Sequence, residues 1–299
     1  MFERANPPAE LTCNEIRQRL VDITQARLAG RLDRVVAHFA PDAIVHYNCT
    51  KEGLYAPGTA HGRAGFLASL KRAEEEYQPL EGEIVEILVE NGAAAMRWRT
   101  RWRHRGSGRL WSLDMAYLLR WRGDYVVEMH EFLDAPSPSI VRFSPQRSLD
   151  QILNPPNSGL DRAEMVELAQ TLAKSTADPR SHLDLLHRHC APHILCEFVG
   201  DRARIPYAGR HVGLEVLIAI VSAINVDFEQ LNVSLSGIIV DGGKLAGRRT
   251  VEWRHRGTGR RGVVELAEFL RFEDGLIVEF MEYRDSITIL EMQGELEHW

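Results

Sequence analysis

Three polar residues in the second half of the sequence, Arg249, Glu268 and Glu282, have the types and spacing of an acid–base site. Each lies in a strand-like segment with apolar alternate positions, and strands place alternate side chains on one face. An arginine keeps one neighbouring carboxylate ionised while burial raises the pKa of another, so that one group accepts a proton and the other donates one. The same residues could instead form a structural buried ion pair, and the sequence leaves both interpretations open.

The elements that must position these residues occur twice, because the two halves of the chain are copies related by a shift of 151 residues. Between 102–134 and 253–285, 14 of 33 residues are identical without a gap. The motif Trp-Arg-His-Arg-Gly-Ser-Gly-Arg at 102–109 recurs at 253–260 with Thr in place of Ser. The repeat predicts one domain over 1–135 (copy one), a linker rich in Pro, Ser and Asn over 136–159, and a second domain over 160–299 (copy two).

Each copy has the same order of predicted elements. Apolar residues at helical spacing predict three helices, over about 9–29, 32–40 and 62–77 in copy one and about 161–176, 182–190 and 213–225 in copy two. A short strand and then four more strands, separated by hairpin turns such as Asn91-Gly92 and Gly242-Gly243, complete the pattern. We therefore predict an α+β fold of two cone-shaped domains, each a curved antiparallel sheet with three N-terminal helices.

Several motifs make the sequence resemble a known superfamily. They are Ala-Pro-Asp-Ala-Ile-Val-His at 40–46, Gly62-Arg63, and Leu-Arg-Phe-Glu-Asp-Gly-Leu-Ile-Val-Glu at 270–279 with Glu282 three residues further on. The sequence resembles the nuclear transport factor 2-like superfamily, and within it the SnoaL-like polyketide cyclases and ketosteroid isomerase-like proteins, over almost all of both copies. The resemblance implies a cone-shaped fold around a pocket, but no single activity, because this superfamily includes both enzymes and binding proteins.

The resemblance also implies roles for individual residues. Glu282 and its copy-one equivalent Glu131 match the acidic residue that is catalytic in SnoaL-like cyclases and limonene epoxide hydrolase-like enzymes. Arg249 matches an arginine of the epoxide hydrolases. Glu268, with Tyr117 in copy one, matches the proton-donating acid of ketosteroid isomerases. The implied catalytic set is therefore Glu282, Glu268 and Arg249.

The side chains on the pocket faces of the strands are expected to bind the ligand. They are Phe198, Trp253, Leu266 and Phe280 in copy two, and Tyr47, Trp98, Trp102, Tyr117 and Glu131 in copy one. Phe198 and Tyr47 hold the position of the isomerases' general base, and neither is a carboxylate, which argues against steroid-type proton shuttling there. A lone buried acid such as Glu131 is more often structural than catalytic, so we expect the working pocket in copy two.

These observations predict a cofactor-independent acid–base enzyme of cyclase, isomerase or hydrolase type that acts on a small hydrophobic oxygenated compound. The alternative is a small-molecule binding protein of the same fold that performs no chemistry. A third hypothesis, successive epoxide openings in the two copies, lacks the aspartates that the epoxide hydrolases use, because Thr100 and Val251 occupy those positions.

Composition and charge exclude other classes. The formal net charge of -6 disfavours general nucleic-acid binding, and no stretch is apolar enough to cross a membrane, so we expect a cytoplasmic protein. Four cysteines are too few and too unevenly spaced for a disulfide framework. The clustered histidines are His182, His187, His189 and His193. Their spacing puts them on different faces of a short helix and beyond its end, which favours a solvated surface, so we expect neither a metal nor an organic cofactor.

The outward face of each predicted sheet carries charged residues. They are Arg97, Arg99, Arg101 and Arg103 in copy one, and Glu252, Glu265 and Glu279 in copy two. In the superfamily that the sequence resembles, this face commonly forms a dimer interface. We therefore predict that the copies pack sheet to sheet as an intramolecular pseudo-dimer held by arginine–glutamate pairs, in a chain that is a monomer or forms a further homodimer.

Overall fold

The structure is a computed structural model that describes residues 10–47, 58–133, 157–200 and 202–295. Nearly all of the predicted linker, 136–159, lies outside the described residues, so the domain boundaries stay a prediction. Among the described residues, no helix is long and apolar enough to span a membrane.

The described residues of copy one form three helices and six strands. Two helices come first, α1 (Cys13–Leu28) and α2 (Leu32–Ala37), followed by β1 (Phe39–Tyr47), β2 (Thr59–His61) and α3 (Gly62–Glu76). The remaining strands are β3 (Tyr77–Glu90), β4 (Ala93–His104), β5 (Leu110–Arg122) and β6 (Tyr125–Leu133). The three predicted helices are present, and α2 is shorter than predicted because β1 already begins at Phe39.

Copy two repeats this order and adds a helix at its end. It contains α4 (Arg162–Ser175), α5 (Pro179–His189), β7 (Cys190–Phe198), β8 (Gly209–Val212) and α6 (Leu214–Asp227). The later strands are β9 (Phe228–Asp241), β10 (Lys244–His255), β11 (Arg261–Glu273) and β12 (Leu276–Arg284), and α7 (Ser286–Gln293) follows them. Helix α7 was not expected from the sequence.

Each copy forms one six-stranded sheet, in the order β2-β1-β6-β5-β4-β3 and β8-β7-β12-β11-β10-β9. The α+β fold is confirmed, but the sheets are mixed rather than wholly antiparallel. β1 pairs with β6 in parallel, and β7 pairs with β12 in the same way. Each parallel pair joins strands separated by a helix and four further strands, which allows the chain to return in the same direction.

Local sequence explains where the helices begin. Capping boxes start α1 and α4: the Thr12 hydroxyl accepts from the Glu15 N–H, and the Asp161 carboxylate accepts from the Glu164 N–H. Gly62 starts α3 with a φ of +69°, and a Cβ there would lie 2.8 Å from the Pro41 carbonyl oxygen. Glycine at this position therefore lets α3 approach β1 closely.

The outward faces of the two sheets pack against each other. This contact buries Leu88, Ala95, Ala116, Leu118 and Phe132 of copy one with Ile239, Ala246, Ala267, Phe269, Met281 and Tyr283 of copy two. At its centre, the Arg97 guanidinium donates to the Tyr283 hydroxyl at 3.1 Å. The two copies thus pack sheet to sheet, through a mainly apolar contact.

The prediction of which arginines and glutamates pair across this contact is wrong. Arg101 pairs with Glu81 of its own copy at 3.1 Å. The three glutamates pair with arginines of their own copy: Glu252 with Arg261 at 4.0 Å, Glu265 with Arg248 at 3.8 Å, and Glu279 with Arg271 at 2.7 Å. Two other arginine–glutamate pairs do join the copies, Arg99 with Glu197 at 3.7 Å and Arg162 with Glu90 at 2.5 Å. Neighbouring strands of one sheet lie closer together than two packed sheets, so the glutamates pair with arginines on their own sheet.

Candidate active site

A cavity of about 100 Å³ lies in copy two, between the sheet and helices α4, α5 and α6. Most of its wall is apolar. Leu172, Leu186, Leu217 and Ile224 contribute from the helices, and Ile194, Phe198, Leu270 and Phe280 from the strands. Such a cavity suits a small apolar ligand, with specificity left to the few polar groups in the wall.

The three predicted catalytic residues meet at one wall of this cavity. Arg249 Nη1 lies 3.1 Å from Glu268 Oε1, and Arg249 Nη2 donates to Glu282 Oε2 at 3.4 Å. They come from neighbouring strands β10, β11 and β12, in which Glu268 is directly opposite Glu282. Arg284, which lies outside the predicted catalytic set, donates to the other oxygen of Glu282 and lies over the Phe198 ring at 5.0 Å.

The two carboxyl groups have different electrostatic surroundings. Burial raises the pKa of Glu268, the negative charge of Glu282 raises it further, and Arg249 opposes both effects. Glu282 has a guanidinium on each side and is the group placed to carry the negative charge. The wall therefore holds one carboxyl group that favours its protonated form and one that is matched by cations, as acid–base work requires.

His182 also lines the cavity, in contrast to the prediction of a solvated surface. Its side chain is buried on α5, and its Nδ1 lies 2.8 Å from the Ser175 hydroxyl. Burial, and secondly the charge of Arg249, lower the pKa of His182 to about 4. The signal was present in the sequence, because His182 lies one turn before the core residue Leu186 and shares its face.

Three uncharged polar residues complete the lining, and none of them was predicted from the sequence. Thr176, Asn225 and Gln230 contribute to the wall, and Thr176 Oγ1 lies 2.5 Å from Gln230 Oε1. The amide nitrogens of Asn225 and Gln230 are buried and have no hydrogen-bond partner among the described residues. No spacing pattern marks these residues, because they lie at the ends of three different elements.

Copy one has a cavity of only about 20 Å³. Trp98, Tyr117 and Glu131 line it, together with Arg27 from α1, which was not predicted. Burial raises the pKa of Glu131 to about 7, against the opposing effect of Arg27. This space is about the size of one or two water molecules, so we do not place a substrate in it.

The other predicted pocket residues divide into two groups. Phe198, Trp253 and Phe280 line the copy-two cavity. Three others are core residues that do not contribute to either cavity wall: Leu266, Tyr47 and Trp102. Leu266 packs with Ile289 and Met292 of α7, because that unpredicted helix covers its end of the sheet. The Trp102 indole donates to the Thr100 hydroxyl at 2.5 Å.

One group in the described part of the chain could hold a metal ion by distance alone. It consists of His46, Glu128 and His130 on the outward face of copy one. The two imidazole rings are stacked at 4.3 Å with an interplanar angle of 10°, so their nitrogen lone pairs lie in parallel planes and do not converge. Arg120 and Arg248 already hydrogen-bond to Glu128 and His130. The group is better explained by stacking and ion pairing than by metal ligation.

Comparison with known proteins gives one family match and no curated relative. A family model described as a SnoaL-like domain matches the chain twice, at residues 18–129 and 178–280. Each match covers most of one copy and includes the strand that carries Arg249 or its equivalent Trp98. Among the curated proteins, none matches the chain.

Three solved structures that are similar to this chain each cover less than half of it. TsrD from Streptomyces laurentii is 25% identical, over 46% of this chain and 99% of that one, with a TM-score of 0.37. A nuclear transport factor 2-like protein from Burkholderia xenovorans LB400 is 21% identical, over 41% and 92%, with a TM-score of 0.35. Another from Burkholderia pseudomallei K96243 is 16% identical, over 44% and 98%, with a TM-score of 0.39.

Proposed function

The chain belongs to the SnoaL-like domain family, and from this membership we propose that copy two is a cofactor-independent acid–base enzyme of cyclase, isomerase or hydrolase type. Its substrate is a small hydrophobic compound that carries an oxygen function. One observation carries the proposal: two buried carboxyl groups, Glu268 and Glu282, flank a single guanidinium at the wall of an apolar cavity.

The chemistry follows from the different surroundings of the two carboxyl groups. Glu282 accepts a proton from a carbon of the substrate or from a water molecule, and Glu268 gives a proton to an oxygen of the substrate. Arg249, between them, stabilises negative charge that develops on that oxygen. After each turnover, proton exchange with solvent returns both groups to their starting states.

The cavity limits the size of the substrate. Its volume of about 100 Å³ is somewhat below the roughly 150 Å³ of an apolar cavity that holds benzene. We therefore expect a short chain or at most a single ring, with its oxygen at the wall formed by β10, β11 and β12.

The second candidate is a small-molecule binding protein of the same fold. It is favoured by the same geometry, because Arg249, Arg284 and the two glutamates satisfy one another in a closed cluster. In that case the cluster is a structural ion-pair network and the cavity holds a ligand without changing it.

Two small probe reactions test the proposed enzyme activity. Wild-type protein is incubated with cyclohexanone in D₂O, with NMR detection of deuterium next to the carbonyl, and with cyclohexene oxide, with chromatographic detection of the diol. We expect catalysis of at least one reaction, and Glu282→Gln to lower its rate by about 100-fold or more, since general acid–base groups contribute factors of that size. Glutamine keeps the shape of glutamate but removes the charge that pairs with the buried Arg249 and Arg284, so we expect a lower melting temperature and compare the rates at a temperature at which both proteins are folded.

Glu131→Gln in copy one is the matched control, since Glu131 is the equivalent glutamate beside the smaller cavity. This variant is expected to keep the wild-type rate. If the protein binds both compounds and transforms neither, the binding protein is the correct assignment. An undiminished rate in Glu282→Gln would also overturn the proposed chemistry.

A further inference from the structure

We infer that His182 presents a fixed hydrogen-bond acceptor, its Nε2 atom, to the ligand of the copy-two cavity, and that this ligand therefore carries a hydroxyl group. The inference rests on the proposed use of that cavity and adds a chemical class to it. It assigns a binding role to a residue outside the acid–base cluster.

The position of His182 separates it from the other histidines of α5. His182 is 6% exposed and lines the cavity, whereas His187 is exposed and His189 is half-buried outside the lining. The ring reaches the cavity from the helix side, opposite the strands that carry Arg249 and the two glutamates. A ligand in the cavity therefore lies between an imidazole and the charged wall.

Hydrogen bonds determine which nitrogen of His182 carries the proton. The Ser175 hydroxyl donates to the Leu172 carbonyl oxygen at 2.8 Å, which uses its single hydrogen. The His182 Nδ1 atom, 2.8 Å from the same hydroxyl oxygen, must then be the donor in their contact. Nδ1 therefore carries the hydrogen, and Nε2 keeps a free lone pair.

The surroundings also keep this ring neutral. Burial is the main cause that lowers the pKa of His182 to about 4, and the positive charge of Arg249 adds to it, while the Leu172 carbonyl acts in the opposite direction. At neutral pH the ring is therefore an acceptor at Nε2 and not a second donor. The hydrogen bond that orients the ring is made at Nδ1, so Nε2, the other ring nitrogen, is the one left for a ligand hydroxyl in the cavity.

Phenol and toluene form a matched pair of probes, because both are single rings and only phenol has a hydroxyl. We expect wild-type protein to bind phenol more tightly than toluene by about tenfold, the effect of one hydrogen bond. His182→Phe should abolish this preference and leave toluene binding in place, and His182→Gln, which restores an acceptor, should recover part of it. His187→Phe on the exposed side of α5 is the control and should behave as wild type.

A second measurement tests the tautomer directly. Nitrogen-15 NMR of the histidine rings should show hydrogen on Nδ1 of His182 and none on Nε2 at neutral pH, and Ser175→Ala should weaken that preference. Hydrogen on Nε2 in the wild type, or an unchanged phenol preference in His182→Phe, would overturn the inference. Neither measurement requires turnover, so a failure here is distinct from a failure of the Glu282→Gln experiment.

Discussion

At the scale of single residues, the two copies differ most in where each places its positive charge. Copy two places Arg249 on a strand between two carboxyl groups, while copy one has Trp98 at the equivalent position. The cation near Glu131 is Arg27, which comes from a helix. The Trp98 indole fills space in copy one that the Arg249 guanidinium leaves open in copy two. The cavity of copy one is accordingly smaller, about 20 Å³ against about 100 Å³.

Glu131 makes a testable contribution to the pH dependence of stability. The pKa of Glu131 in the folded protein is about 7, above its ordinary value of 4.5. Its contribution to the free energy of unfolding is therefore full below about pH 4.5 and is lost as the pH rises through 7. The free energy of unfolding of the wild type should fall between about pH 5 and pH 8. In Glu131→Gln this fall should be smaller by about 3 kcal/mol. Urea unfolding at both pH values measures this difference.

The exposed Glu75→Gln is the control for this experiment and should leave the pH dependence as it is in the wild type. Parallel pH profiles for wild type and Glu131→Gln would contradict the buried, proton-holding state of Glu131.

At the scale of elements, α7 decides which part of the second sheet faces a ligand. Asp285 caps it by accepting from the Thr288 N–H at 3.1 Å. Gly262 on β11 lets the helix lie close, because a Cβ there would be 2.7 Å from Thr288 Cγ2. The helix buries Ile289 and Met292 against Leu266, which removes that end of the sheet from the cavity.

Ile289→Ala tests the role of α7 as a cover. Ile289 is fully buried in this cluster, so the variant should lower the free energy of unfolding by about 2–4 kcal/mol through the lost contacts and the space left behind. Phenol affinity should stay unchanged because Ile289 does not line the cavity. Val263→Ala, at a position 55% exposed on β11, is the control. A strong loss of phenol binding in the folded variant would contradict the separation of this α7 cluster from the cavity.

At the scale of the whole molecule, the two copies meet with near-twofold symmetry. The Val89 N–H donates to Asp241 at 3.0 Å, and the Val240 N–H donates to Glu90 at 3.1 Å. These two bonds join equivalent positions, because each residue of copy two lies 151 positions after its counterpart. Such reciprocal contacts are typical of isologous dimers, and here they occur within one chain.

Ala267→Glu tests whether the sheet-to-sheet contact makes the two copies unfold together. Ala267 is fully buried in that contact, so an unpaired carboxylate there should cost about 3 kcal/mol or more. Calorimetry should show one transition for the wild type and a lower or divided transition for the variant. Val263→Glu, exposed on the same strand, should unfold as the wild type does. An unchanged transition in Ala267→Glu would mean that the contact contributes little.

The sequence by itself determined the duplication, the α+β class, the three helices of each copy and the charged wall of the copy-two cavity. The proximity of Arg249, Glu268 and Glu282 could be predicted because side chains alternate between the faces of a strand every two residues, and short hairpins place neighbouring strands side by side. Strand alternation and hairpin turns depend only on residues close together in the sequence, and the repeat shows both patterns a second time.

Tertiary structure decided the remaining features. These features depend on contacts between distant segments. They are the parallel pairing of β1 with β6, the packing of α7 over Leu266, the ion pairs at the sheet contact and the unequal cavities. His182 shows the physical reason. Its helical spacing with Leu186 indicated only a shared face, whereas its burial, its hydrogen bond to Ser175 and its nearness to Arg249 depend on how helices pack on the sheet.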